Sequence, residues 1–269
     1  MNLAQKTSQA TSITEIGQTE WPLTSVEVLI NEFDKAGVDK ATLVQAYFVY
    51  EYDNSYAIDA TNAHRDRFAS VVVLDPLDPK SPDVLSHMVE KQNVSGIRFM
   101  RGRLPESSLG RPETYPLWAR IESLGIPLSI NDRLNEIGKV LAPMEKYPGV
   151  RVAFEHAWGH KVGTPPDFAH LNPLFELAKH PNICIKTSIN NIAAAKADGG
   201  TPQQLYTKLI DVFGANRIMW SSNYPAHPKF GSVKERLDIA KKELAFLPHA
   251  AQEWIFGKTA LNFYPTLNT

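Results

Sequence analysis

A single cysteine in 269 residues leaves no internal disulfide to form. That economy fits a reducing compartment, and a cytoplasmic location is the expectation. Long apolar runs are missing as well. None approaches the about 20 residues that a membrane-spanning helix needs, and residues 1–12 are polar, without the apolar centre of a secretory leader. Charge of one sign is also lacking: 28 basic residues face 29 acidic ones, for a net charge of -1. Neither nucleic acid nor an anionic membrane surface is therefore expected as a partner. No Gly-rich dinucleotide fingerprint follows the first strand-like run, and no Walker-type phosphate loop occurs. Metal-site spacing is absent where it would be most telling, since there is no His-x-His near the start and no His-Glu-x-x-His anywhere.

What is present is a regular alternation. The chain is 43% hydrophobic, enough for a sizeable core. Seven strand-like apolar runs recur at 42–44, 70–74, 96–99, 127–130, 150–154, 183–186 and 218–220. Amphipathic stripes separate them: Val26, Leu29, Ile30 and Phe33 before Gly37; Leu117, Ile121 and Leu124 before Gly125; Leu171, Leu174, Phe175 and Ala178; Leu205, Leu209, Ile210 and Phe213 before Gly214. Spacings of three and four followed by glycine predict helices and their stops. Strand alternating with helix predicts βα units and a parallel sheet. Seven strands and an indistinct start predict a (β/α)8 TIM-like barrel with a missing or irregular first strand. The expected division is a polar N-terminal segment, 1–24, and a single barrel domain, 25–269. Segments 163–167 (GTPPD) and 193–200 (AAAKADGG) read as long loops after strands. Cys184 lies in an apolar run and reads as a packing residue.

In such a barrel the C-terminal strand ends share one mouth, and the polar residues there form an inventory: Gln45 and Tyr47, Asp75, Arg98 and Arg101, Asn131 and Asp132, Glu155 and His156, Lys186 and Ser188, Ser222 and Asn223. His156 is the expected acid/base, because imidazole titrates nearest neutrality. Trp158 and His160 either wall the pocket or, for His160, sit on a surface loop. Strand alternation puts Arg98 and Ile97 on opposite faces. A guanidinium inside the mouth needs a partner, either a substrate carboxylate or an internal Asp75 or Glu155. Arg101 and Arg103 add charge nearby. The aromatic run from Tyr47 to Tyr52 lines an apolar pocket or packs the end of a strand. His64, His87, His180 and His249 fall in helices or at their ends and read as structural.

Together these residues carry a resemblance. Segments 32–45 (EFDKAGVDKATLVQ), 53–56 (DNSY), 96–99 (GIRF), 147–150 (YPGV) leading to Glu155 and His156, 185–188 (IKTS) and 213–225 (FGANRIMWSSNYP) are similar to the amidohydrolase-related (amidohydrolase 2) branch of the amidohydrolase superfamily, especially its lactonase-like members. The resemblance implies a barrel hydrolase with metal ligands at several strand ends. The departures are specific. The His-x-His of the first strand has no counterpart in residues 1–23, where 12–16 (SITEI) is a weak substitute. Asn131 stands where relatives carry a ligand histidine, and Asn223 where they carry the metal-binding or water-activating aspartate. Carboxamides bind divalent transition metals far more weakly than imidazole or carboxylate, and an amide cannot act as a general base. No metal and no cofactor are therefore expected.

The expected activity is a metal-independent hydrolase acting on a small, anionic or cyclic carbonyl compound such as a lactone. His156 would be its acid/base and Asp132 a second candidate. Asn131 and Asn223 would orient the carbonyl, and Arg98 or Arg101 would hold a carboxylate. Gln45, Tyr47, Lys186, Ser222, Trp158 and Tyr224 would complete the pocket. A lyase, decarboxylase, isomerase or cyclase on the same barrel, and a non-catalytic binding protein, are the alternatives. A homo-oligomer is the expected cover for any strand edge left unpaired.

Overall fold

The computed structural model describes residues 24–101, 106–158 and 161–268. Its centre is a sheet of seven strands, β1 Ala41–Val44, β2 Phe68–Val73, β3 Val94–Met100, β4 Leu128–Asn131, β5 Val152–Phe154, β6 Ile183–Ser188 and β7 Ile218–Ser221. They pair in chain order, every neighbour parallel, from β1 to β7. All seven coincide with the apolar runs of the sequence. The sheet curls into an incomplete barrel with helices around it. The expected first strand, and with it residues 1–23 of the polar segment 1–24, lies outside the described residues.

Alternation along the strands builds two cores. Val72, Ile97, Phe99, Leu128, Ile130, Val152, Phe154, Ile183, Ile185 and Ile218 turn outward into the main core, where Leu117, Trp118, Ile121, Leu205, Leu209 and Phe213 come from helices. The intervening residues Ala69, Val71, Ala153 and Met219 turn inward and meet Phe263, Tyr264 and Leu267 from the C-terminal segment. That segment plugs the N-terminal end of the barrel. Tyr264 packs so closely that a Cβ on Gly96 would lie 3.2 Å from its ring, and its hydroxyl hydrogen-bonds Ser129 Oγ at 2.9 Å.

Three of the four stripes form helices as expected, Val26–Ala36, Tyr115–Leu124 and Pro202–Phe213. Gly37 and Gly125 stop the first two in the left-handed region, at φ 66° and 64°. The third stripe is broken into Ala169–Leu171, Asn172–Phe175 and Glu176–Lys179, with 3-10 turns flanking a single α turn. Most of segment 193–200, expected as loop, is helical, within Ile189–Ala197. A capping box between Ser188 and Asn191 starts that helix, and its alanines favour it. Segment 163–167 is an irregular loop, tied down where Val162 and Gly163 N–H groups donate to Asp198 Oδ2, each at 2.7 Å. His64, His87, His180 and His249 lie in or beside helices. Among the described residues no helix is long and apolar enough to cross a membrane.

Candidate active site

At the C-terminal strand ends lies a cavity of about 490 Å³. Gln45 and Tyr47 line it from the end of β1, Arg98 and Met100 from β3, Asn131 from β4, Glu155 and His156 after β5, Lys186 from β6, and Ser221 to His227 from β7 and its loop. Nine residues expected in the site therefore converge there: Gln45, Tyr47, Arg98, Asn131, His156, Lys186, Ser222, Asn223 and Tyr224. Arg101 and Asp132 do not line it. Strand alternation turns Asp132 away from Asn131, and its carboxylate accepts from Ser107 Oγ at 2.6 Å and from Arg133 N–H at 2.7 Å, with Arg101 Nε at 3.8 Å. Trp158 ends the turn after β5; its side chain, with Arg103 and His160, lies outside what is described.

The floor of the cavity is an ion cluster around Glu155. Lys186 Nζ donates to Glu155 Oε1 at 2.9 Å, and Arg98 Nη1 to Oε2 at 3.2 Å. Asn131 Nδ2 approaches Oε2 at 3.5 Å, and His156 Nε2 lies 4.0 Å from it. Arg98 also donates through Nη2 to the Gln45 carbonyl at 2.9 Å. The partner of Arg98 is thus one of the two internal carboxylates anticipated, Glu155. Burial pushes the Glu155 carboxyl up, but the opposing charges of Lys186, Arg98 and His156 outweigh it and hold the group ionised well below the usual carboxylate range. Two cations against one anion leave the floor positive.

Gln45 is fixed by donating from Nε2 to Glu51 O at 2.8 Å and Asp53 O at 3.0 Å. Its Oε1 is buried without a hydrogen-bond donor among the described residues. The aromatic run after β1 forms the short helix Tyr47–Tyr50, with Tyr47 edge-on to Phe48 and Tyr52. Tyr50 stacks on Tyr56, centroids 6.0 Å apart.

Three lining residues sit in the left-handed backbone region, His156 at φ 59°, Asn223 at φ 50° and His227 at φ 55°. For a histidine that conformation costs of order 1 kcal/mol, and such strain gathers at functional sites. Asn191 holds the turn by donating to the His156 carbonyl at 2.7 Å. The Asn223 loop is held by Arg236, which is fully buried. Its guanidinium donates to the carbonyls of Gly231, Ser222, Asn223, Ala226 and His227, at 2.7 to 3.2 Å.

Sequence reasoning named Glu155 in the inventory and as one possible partner of Arg98, but gave it no part in binding or catalysis. It gave none to Asn190, Tyr56 or His227, all of which line the cavity. Only Glu155 carried a signal, as the acid next to His156 at a strand end. Metal donors are sparse: among the described residues no three His, Cys, Asp or Glu side chains come together to hold an ion.

Comparison with known proteins agrees with this geometry. The amidohydrolase family model matches residues 29–266. An L-fucono-1,5-lactonase of Burkholderia ambifaria is 23% identical over 261 residues, covering 91% of this chain and 89% of its own. A zinc-bound amidohydrolase of Burkholderia multivorans superposes with a TM-score of 0.74 at 15% identity, over 90% of this chain and 88% of its own. A probable 2-pyrone-4,6-dicarboxylic acid hydrolase of Acinetobacter baumannii, crystallised with citric acid, gives 0.72 at 17% identity, over 90% and 89%. The barrel, its site at the C-terminal strand ends and the family match over most of the length agree: this chain belongs to the amidohydrolase family, and the lactonase-like branch is where it fits.

Proposed function

We propose that this protein is a metal-independent hydrolase that opens a small lactone to a hydroxy-carboxylate. The observation that carries the reading is the positive floor, Glu155 held between Arg98 and Lys186 beside His156. A divalent cation does not fit there. Glu155 is the sole carboxylate facing the cavity among the described residues, and both its oxygens are taken by cations. Asn131 and Asn223 offer only neutral amides, and an entering metal ion would be repelled by the ammonium and guanidinium already in place.

The same floor suits a product carboxylate. Asn131 and Asn223 both line the cavity and orient the lactone carbonyl by hydrogen bonds. His156 removes a proton from water as its oxygen bonds to the carbonyl carbon. When the ring C–O bond breaks, the protonated imidazole returns that proton to the departing alkoxide. The negative charge that develops at the acyl group is stabilised by Arg98 and Lys186. Asp132 takes no part, because its oxygens are engaged away from the cavity.

The test is lactone turnover by the full chain and by His156→Ala. Loss of about 10²- to 10⁴-fold in kcat with an unchanged melting temperature is expected; undiminished turnover in the variant removes His156 from its role. Hydrolysis in labelled water must place solvent oxygen in the product. Product formed without it supports a lyase on this barrel.

A further inference from the structure

At the other end of the barrel, under the N-terminal ends of β5, β6 and β7, lies a second cavity of about 510 Å³. Arg151, Lys179 and Arg217 line it with the amides of Asn182, Asn216 and Asn262. No acidic side chain contributes, and none of the three cations pairs with a carboxylate among the described residues.

The two guanidinium groups are fixed by neutral partners. Arg217 donates from Nε to Phe213 O at 2.7 Å, and from Nη1 to Ala178 O at 2.8 Å and His180 O at 3.0 Å. Arg151 donates from Nη1 to Asn262 O at 3.0 Å and from Nη2 to Gly125 O at 3.3 Å. Carbonyls hold these planes in place but cancel no charge. Two held guanidinium groups and the exposed Lys179 ammonium in one concavity make a positive field with nothing of opposite sign in its lining. The Cys184 thiol, also in the lining, reports that field: burial pushes it up to about 11, while Arg217 and then Arg151 pull the other way.

We propose that this cavity binds a small, multiply charged oxyanion of the phosphate type, at a site separate from the catalytic mouth. Arginine forks with amide donors beside them match the several oxygens of such a group. Tyr264, one residue beyond the cavity-lining Phe263, plugs the barrel, so an occupant here would brace the wall beneath the ion cluster.

The experiment is calorimetric titration of the full chain with inorganic phosphate, against chloride at matched ionic strength. Saturable heat is expected. Lys179→Glu, an exposed position, should weaken it at least about tenfold. Because the catalytic mouth is also positive, location is read at Cys184, the chain's single cysteine. Phosphate should slow its alkylation by neutral iodoacetamide at alkaline pH, with the same concentration dependence as the heat, and should do so far less in Lys179→Glu. Absence of saturable heat, heat that survives Lys179→Glu, or alkylation indifferent to phosphate each overturns the proposal. None of these readouts depends on lactone turnover.

Discussion

Glu155 is the residue on which the site's electrostatics turn. It answers two buried cations, so neutralising it should cost more than removing an ordinary side chain. Glu155→Gln leaves Arg98 and Lys186 buried without an anion, and about 3–5 kcal/mol of lost stability is expected in chemical denaturation. The same pairing fixes the sign of a pH dependence. A carboxyl whose folded-state pKa is depressed contributes stability above its unfolded value, about 4.3 for a glutamate. It loses that contribution as pH falls below that value toward the folded one. The wild type should therefore lose stability steeply below about pH 4, and Glu155→Gln should show a shallower decline. Equal acid profiles would show that the cluster is not the linked group. At this scale the sequence was partly legible. Period-two alternation placed Arg98 inward, and the same rule, applied to Asn131, turns Asp132 outward. The Glu155–Lys186 contact joins residues 31 positions apart on neighbouring strands, and no local pattern encodes which inward acid meets which inward base.

Among the elements, the loop after β7 has the most to lose. Asn223, Tyr224 and His227 line the cavity from a loop in which Arg236, from helix Val233–Glu243, gathers five carbonyls. Arg236→Met should destabilise the protein by about 3 kcal/mol, since buried acceptors lose their donors. It should also raise KM for the lactone through a displaced Asn223. A variant with wild-type stability and KM would contradict that positioning role. A second element-level prediction concerns the plug. Gly96→Val places side-chain atoms against Tyr264, and overpacking there should cost about 1–3 kcal/mol by thermal or urea unfolding. The strands were legible because each is a short apolar run bounded by polar residues. Helix Ile189–Ala197 was not, because its small residues carry no amphipathic stripe, and its start is set by the Ser188–Asn191 capping box. The broken stretch 169–179 misled in the other direction, since a stripe of spacing three and four also suits a run of 3-10 turns.

At the scale of the whole molecule, seven parallel strands curl around a mouth that holds a positive cluster. The barrel and its family were legible from the order of the βα units and from a handful of segments. The resemblance set neutral amides, Asn131 and Asn223, at positions where metal donors were expected, and both line the mouth. The carboxylate locked between an ammonium and a guanidinium beside them emerged only with the fold. The decisive measurement is kcat/KM for lactone hydrolysis by the purified full chain before and after exhaustive chelation, with metal content determined on the same samples by elemental analysis. Substoichiometric metal and an unchanged rate are expected. A stoichiometric metal ion whose removal abolishes turnover, and whose return restores it, would contradict a metal-independent site.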